Sequence, residues 1–212
     1  MSNTSLRNRR LPLKVGITGG IGSGKTLACR IFTTLGIPVF NADRAARDLY
    51  TSHEGVRDEM VRMFGPEIYL PGGEIHRSLL ASVIFNNPRA LEAVNRRIHP
   101  LVREAFAGWF VTQTGPYVLF ESALLFETGT WKSMDLTLLV TAPEELRIHR
   151  VTRRDRVSPA EVTARMNHQW KDVQKKELAS YILLNDEAHP LLDQILDTDQ
   201  KIRKIWEISA NG

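Results

Sequence analysis

The stretch "GITGGIGSGKT", residues Gly16 to Thr26, places five glycines in eleven positions and ends them with a lysine and a threonine. Glycine tolerates positive φ and lets the backbone approach another group closely, at a cost in chain entropy. Such a run is either a flexible linker or a loop that must wrap something. The flanks argue against a linker. Leu13-Lys14-Val15-Gly16-Ile17-Thr18 reads as a short buried strand, and Leu27 and Ile31 downstream recur at helical spacing. Strand, glycine loop and helix in that order form a phosphate-binding context. Gly19, Gly24, Lys25 and Thr26 fit the pattern G-x-x-x-x-G-K-[ST].

Each residue type in that pattern has a physical use. Backbone N–H groups of Gly19, Gly20, Ile21, Gly22, Ser23 and Gly24, with the dipole of the following helix, offer positive charge to a polyphosphate. Lys25 can reach the β- and γ-phosphates, and the Thr26 hydroxyl can ligate Mg²⁺. The bland alternative is a glycine-rich turn followed by a solvated lysine.

Working outward, 212 residues suffice for one substantial core. With 42% hydrophobic and 25% charged residues the composition is globular, without internal repeats or low-complexity tracts. No apolar run approaches the roughly 18–20 residues of a membrane span. Met1 to Arg10 is polar and basic, lacks the apolar core of a signal peptide, and is expected to be a disordered tail. The single cysteine, Cys29, excludes an intramolecular disulfide and suits a reducing cytoplasm. It reads as a small core residue. Arg7, Arg9 and Arg10 supply three of the +4 net charges, and no stretch interleaves aromatic with basic residues. Nucleic acid is therefore not expected as a partner, nor is a membrane, and no obligate protein partner is implied.

Ile37 to Phe40 reads as a second strand ending at Asn41-Ala42-Asp43. Residues 44–112 carry a helical pattern: amphipathic from Asp48 to Met63, broken at Gly65-Pro66 and Pro71-Gly72-Gly73, then resuming from Arg77 to Phe85 and Pro88 to Phe110. Strands return at Pro116–Glu121, Met134–Val140 and Tyr181–Asn185. Thr141-Ala142-Pro143-Glu144 and Ser158-Pro159-Ala160-Glu161 both match the capping box that opens a helix. The first of these helices carries Arg147, Arg150 and Arg154 on one face, and Pro190 to Ser209 predicts a terminal helix. The pattern implies an α/β fold: a three-layer P-loop fold with a parallel five-stranded sheet. The expected core comprises residues 11–43, 113–142 and 176–212. The stretch 44–112 would be an inserted helical substrate domain, and 143–175 a helical lid whose arginines grip phosphate oxygens.

Asp43 has two readings on residue type and place alone. It can accept the proton of an attacking hydroxyl, or it can cap a helix starting at Arg44. The absence of an N-K-x-D signature lowers the GTPase alternative.

Beyond the loop, "LGIPVFNAD", "IHPLV" at Ile98–Val102, "SALLFE" at Ser122–Glu127, and "RVTRRD" at Arg150–Asp155 followed by Gln169 give a resemblance from Lys14 to the final helix. The chain resembles the dephospho-coenzyme A kinases, which transfer the γ-phosphoryl of ATP to the ribose 3′-hydroxyl of dephospho-CoA. The resemblance implies that Asp43 is the catalytic carboxylate and that Arg150 and Arg154 lie on the ATP phosphates. It also places Asn185 on the adenine, and Arg47, Arg77 and His99 toward the CoA substrate. Departures exist. Asn41 stands where the family usually has Asp. Leu27 stands where a second hydroxyl is common and offers only its backbone N–H. Ala123 stands where Pro is common, and Glu121 is a candidate for the missing carboxylate near Mg²⁺. The rival reading is another P-loop kinase acting on a nucleoside, sugar or shikimate-like alcohol.

Overall fold

In the computed structural model the described residues are 10–85 and 87–209. Most of the expected tail therefore lies outside them. Arg10, at its end, sets its guanidinium 4.0 Å from the centre of the Trp206 ring and donates to Ser209 Oγ at 3.0 Å.

Among the described residues five strands form one sheet: β1 (Leu13–Thr18), β2 (Val39–Asn41), β3 (Tyr117–Glu121), β4 (Leu136–Thr141) and β5 (Tyr181–Leu184), in the order β2-β3-β1-β4-β5. The pairs β1·β3, β1·β4 and β4·β5 are parallel. The α/β sheet expected from the sequence is the one found. Because alternate side chains face opposite sides of a strand, Val15 and Ile17, Tyr117 and Leu119, and Leu138 and Val140 share one face. There they pack with Ala28, Cys29 and Phe32 of α1 (Lys25–Thr34) and with Ile195 and Ile202 of the terminal helix. Inside this unit the Tyr117 hydroxyl donates to Asp199 Oδ1 at 2.7 Å, and Asp199 also holds Arg203 at 2.8 Å.

The chain divides into two compact units. One comprises residues up to Phe40 and from Thr112 onward; the other is Asn41–Val111. The second unit holds α2 (Ala42–Ser52), α3 (Glu54–Phe64), α4 (Arg77–Phe85) and α5 (Pro88–Phe110). In α5 the buried residues Val94, Ile98, Val102, Phe106 and Phe110 recur every four positions, the stripe expected of an amphipathic helix. Asn87 caps α5 by accepting from the Ala90 N–H at 3.1 Å, and Pro88 occupies the first helical position, where its missing N–H costs nothing.

Two local expectations fail here. The amphipathic stretch 48–63 is two helices, because His53 turns extended and its Nδ1 accepts from the Val56 N–H at 3.3 Å. The cap of α2 is Asn41, whose side chain accepts from the Arg44 N–H at 2.7 Å. Asp43 lies inside the first turn, so the capping reading of Asp43 is wrong.

The first unit continues with α6 (Glu144–Asp155), α7 (Pro159–Met166), α8 (Asp172–Lys176) and α9 (Leu191–Ile208). The capping box at Ser158 is present, with Glu161 reaching back to the Ser158 N–H at 2.9 Å. The one expected at Thr141 is not. Thr141 remains the last residue of β4, Pro143 precedes α6 without a side-chain cap, and the Thr141 hydroxyl donates to Asp172. α8 carries Lys175, fully buried, whose Nζ stands 2.8 Å from Glu127 Oε1.

Candidate active site

The loop Gly19–Thr26 leaves the carboxyl end of β1, which is flanked by β3 on one side and β4 on the other. That is the switch point where open parallel sheets place their ligands. The loop lines a cavity of about 390 Å³ together with Ala123, Arg150, Arg154 and Gln169. Lys25 and Thr26 are the first two residues of α1, so the lysine and the hydroxyl enter the cavity where the helix dipole is positive. Leu27 is half exposed and does not line the cavity.

The glycines answer to protein neighbours as well as to any phosphate. A Cβ on Gly24, whose φ is +93°, would fall on Asn185 Nδ2. Gly20 has no positive φ, but a Cβ there would fall on the Arg147 guanidinium, inside the 3.0 Å that real Cβ atoms keep. Asn185 Nδ2 donates to the Ser23 carbonyl at 2.9 Å, Arg147 Nε donates to the Ile21 carbonyl at 2.9 Å, and the Ile21 N–H donates to Gln169 Oε1 at 2.9 Å. The loop is thus braced from outside by three side chains.

Lys25 Nζ lies 2.8 Å from Glu121 Oε1, with both side chains nearly buried. Glu121 ends β3. Burial, together with the Glu121 charge, pushes the Cys29 thiol up to about 12. Cys29 is a protonated core residue, as expected from the sequence.

Arg147, Arg150 and Arg154, the three arginines expected on one face of α6, diverge. Arg147 is buried and ion-paired with Asp172 at 3.3 Å. Arg150 is partly covered; it donates to the Asn185 carbonyl at 3.0 Å and pairs with Glu187 at 3.1 Å. Arg154 is mostly exposed and grips Asp155 through Nε at 2.7 Å and Nη2 at 3.0 Å. The hydrogen bond from Arg154 holds the Asp155 carboxyl below its ordinary range. Arg147, read from the sequence only as part of an arginine stripe, is the residue whose site role the sequence missed, along with Gln169 as a ligand of the loop. The signal was Gly20 and Gly22: two glycines beyond the motif's own mark a place where something approaches the loop.

In the helical unit, Asp43 lies in the first turn of α2, and its carbonyl accepts from Arg47 Nε at 3.2 Å. Arg47 and Arg77 come together on a cavity of about 520 Å³ with Asp48, Glu74 and Ser78. His99 is not in its lining; it sits in mid-α5, half-buried, not at a helix end. Burial, and secondarily Arg103, lowers its pKa.

A parallel sheet with a braced glycine loop at its switch point, ending in lysine and threonine, defines a P-loop nucleotide-binding protein. The family model for dephospho-CoA kinase matches residues 13–190, and the chain belongs to that family. The dephospho-CoA kinase of Bacteroides fragilis is 35% identical over 188 residues, covering 88% of this chain and 91% of that protein. Among solved structures, TT1252 from Thermus thermophilus superposes with a TM-score of 0.82 at 34% identity, covering 91% of this chain and 98% of that one. Dephospho-CoA kinase from Campylobacter jejuni shares the fold, with a TM-score of 0.61 at 20% identity over 92% of this chain and all of that one.

Proposed function

We propose that this chain transfers the γ-phosphoryl group of ATP to the ribose 3′-hydroxyl of dephospho-CoA, releasing CoA and ADP in the last step of CoA synthesis. The observation that carries this reading is the cavity of about 390 Å³ where the loop N–H groups, Lys25, Thr26, Arg150 and Arg154 converge, in a chain of the dephospho-CoA kinase family. Loop N–H groups and Lys25 bind the phosphate chain, and Arg150 and Arg154 stabilise charge that grows on the transferred group. In this reading Arg154 exchanges Asp155 for a phosphate oxygen when ATP enters. Asn185, already braced on Ser23, contacts the adenine.

Asp43 accepts the proton of the 3′-hydroxyl. Since Asn41 supplies the cap of α2, capping does not account for the Asp43 carboxylate. Arg47 and Arg77, on one cavity, hold anionic groups of dephospho-CoA; a substrate role for His99, outside that lining, rests on the family resemblance alone. A divalent cation, Mg²⁺ in this reading, fits the donor set. The Thr26 hydroxyl and the Glu121 carboxylate are hard oxygen donors, and no group of three or more His, Cys, Asp or Glu among the described residues could hold a metal unaided. This suits an ion that arrives with nucleotide phosphates. When bound it neutralises charge on the transferring group. In this reading the enzyme works in the cytoplasm, whose reducing conditions suit a chain with a single cysteine.

An ADP-release assay with and without dephospho-CoA, run beside a panel of nucleosides, sugars and shikimate, tests the reading. ADP formation that requires dephospho-CoA supports it. Faster turnover of another alcohol would replace it with the rival kinase.

A further inference from the structure

We propose that Arg147 is a positioning residue for the P-loop: oriented by Asp172, its guanidinium holds the Ile21 carbonyl and so sets the direction of the loop's phosphate-facing N–H groups. The proposal rests on the reading of that loop as the ATP phosphate site.

The geometry starts from planarity. In a trans peptide the carbonyl of one residue and the N–H of the next point in opposite directions. Arg147 Nε fixes the Ile21 carbonyl at 2.9 Å, which turns the Gly22 N–H to the far side. Asn185 does the same from another direction, fixing the Ser23 carbonyl at 2.9 Å and thereby the Gly24 N–H. Gln169 takes the Ile21 N–H itself at 2.9 Å. Both peptide groups of Ile21 are therefore tied to side chains, and the apex of the loop cannot rotate freely. Arg147 stands behind the loop. It lines a separate cavity of about 430 Å³ with Asp172 and not the one the loop encloses, so it acts on a phosphate only through the backbone.

A buried guanidinium is costly unless its donors are met, and here Nε and Nη1 are met along a defined chain. Arg147 Nη1 pairs with Asp172 Oδ2 at 3.3 Å, and the same carboxylate oxygen receives the Thr141 hydroxyl at the end of β4. Asp172 opens α8, which is anchored by the buried Lys175–Glu127 pair at 2.8 Å. Glu127 also takes the Trp170 N–H at 2.9 Å. Gly20 completes the fit, since any side chain there would displace the guanidinium.

The test uses full-length Arg147→Met, Arg147→Lys, Asp172→Asn and the double variant Arg147→Met/Asp172→Asn. Tyr117→Phe, which removes a buried hydrogen bond elsewhere in the same unit, serves as a stability control. Melting temperature, calorimetric affinity for a non-hydrolysable ATP analogue, and KM for each substrate are measured. Arg147→Met is expected to weaken nucleotide binding and raise KM for ATP on the order of 10-fold or more, the scale of one lost charged hydrogen bond. KM for dephospho-CoA should stay within about 2-fold, the change expected where no contact is removed. Lysine should not rescue, because one ammonium lacks the planar fork that reaches both Ile21 and Asp172. Asp172→Asn should show the same pattern, and the double variant should add little to Arg147→Met. Tyr117→Phe should lower stability with nucleotide affinity unchanged. Wild-type nucleotide affinity in Arg147→Met, or full recovery in Arg147→Lys, would overturn the proposal. If Arg147→Met does not fold, unchanged nucleotide affinity in Asp172→Asn overturns it instead. A wild-type protein that binds the analogue yet ignores dephospho-CoA would refute the functional reading alone, since the affinities still decide the role of Arg147.

Discussion

Gly24→Ala separates two effects that the structure superimposes at one residue. Gly24 precedes α1 with φ at +93°, and a Cβ there would land on the Asn185 amide. Left-handed backbone costs a residue with a Cβ about 1–2 kcal/mol. Moving the amide forfeits its 2.9 Å bond to the Ser23 carbonyl, worth about 1 kcal/mol. The total of about 2–3 kcal/mol corresponds to a fall in Tm of roughly 4–12 °C for a chain of this size. Gly36→Ala is the control: φ is +81° with nothing within 4 Å of the added carbon, so only the backbone cost of about 1–2 kcal/mol applies. Thermal melts by circular dichroism would measure both variants, each also in an Asn185→Ala background. The cost of Gly24→Ala should drop toward that of Gly36→Ala once Asn185 is gone. An equal cost in both backgrounds would refute the argument that Asn185 braces the loop.

The remaining predictions concern charge. Lys25→Ala should lower turnover at least ~100-fold, the scale for one preorganised electrostatic group. It also strips the nearly buried Glu121 of its 2.8 Å partner, so a stability loss of about 3 kcal/mol should accompany it, and rates must be normalised to folded protein. Asp43→Asn leaves the Asn41 cap intact and should cost within about 1 kcal/mol of stability, the scale of a first-turn carboxylate at a helix dipole. Its turnover should fall ~10²–10⁴-fold; retention of more than about a tenth of wild-type rate would exclude Asp43 as the base. Because burial lowers the His99 pKa in the folded state, the unfolded chain takes up that proton first. Stability from neutral His99 is present above about pH 6.5 and lost as pH falls below it toward the folded value. The Tm advantage of wild type over His99→Gln should therefore shrink between pH 7.5 and pH 5, which melts at the two pH values would check.

The sequence carried the sheet well, because strand alternation and glycine punctuation are local signals. β1, α4 and α5 occupy the residues their patterns indicate. It carried the arginine helix poorly. Periodicity places Arg147 and Arg154 on one face of α6, but they lie seven residues, about 10 Å, apart along the axis. The first is buried against the loop and the last reaches solvent. A helical wheel has no axial coordinate, and a basic stripe reads as solvated unless its counter-charge is known. That counter-charge, Asp172, belongs to a five-residue helix too short to leave a periodic signal. Likewise, nothing in residues 48–63 marks His53 as a break, because a histidine seldom replaces the short oxygen side chains that usually cap helices.

Phosphoryl transfer to the ribose 3′-hydroxyl is tested by following the phosphorus. The full-length protein is incubated with γ-³²P-labelled ATP, Mg²⁺ and dephospho-CoA, and the labelled product is then treated with a 3′-nucleotidase. Label is expected on CoA in equal amount to the ADP formed, all of it released by the nucleotidase. Label released only as inorganic phosphate without acceptor modification, or carried at a position the nucleotidase leaves untouched, would contradict that transfer.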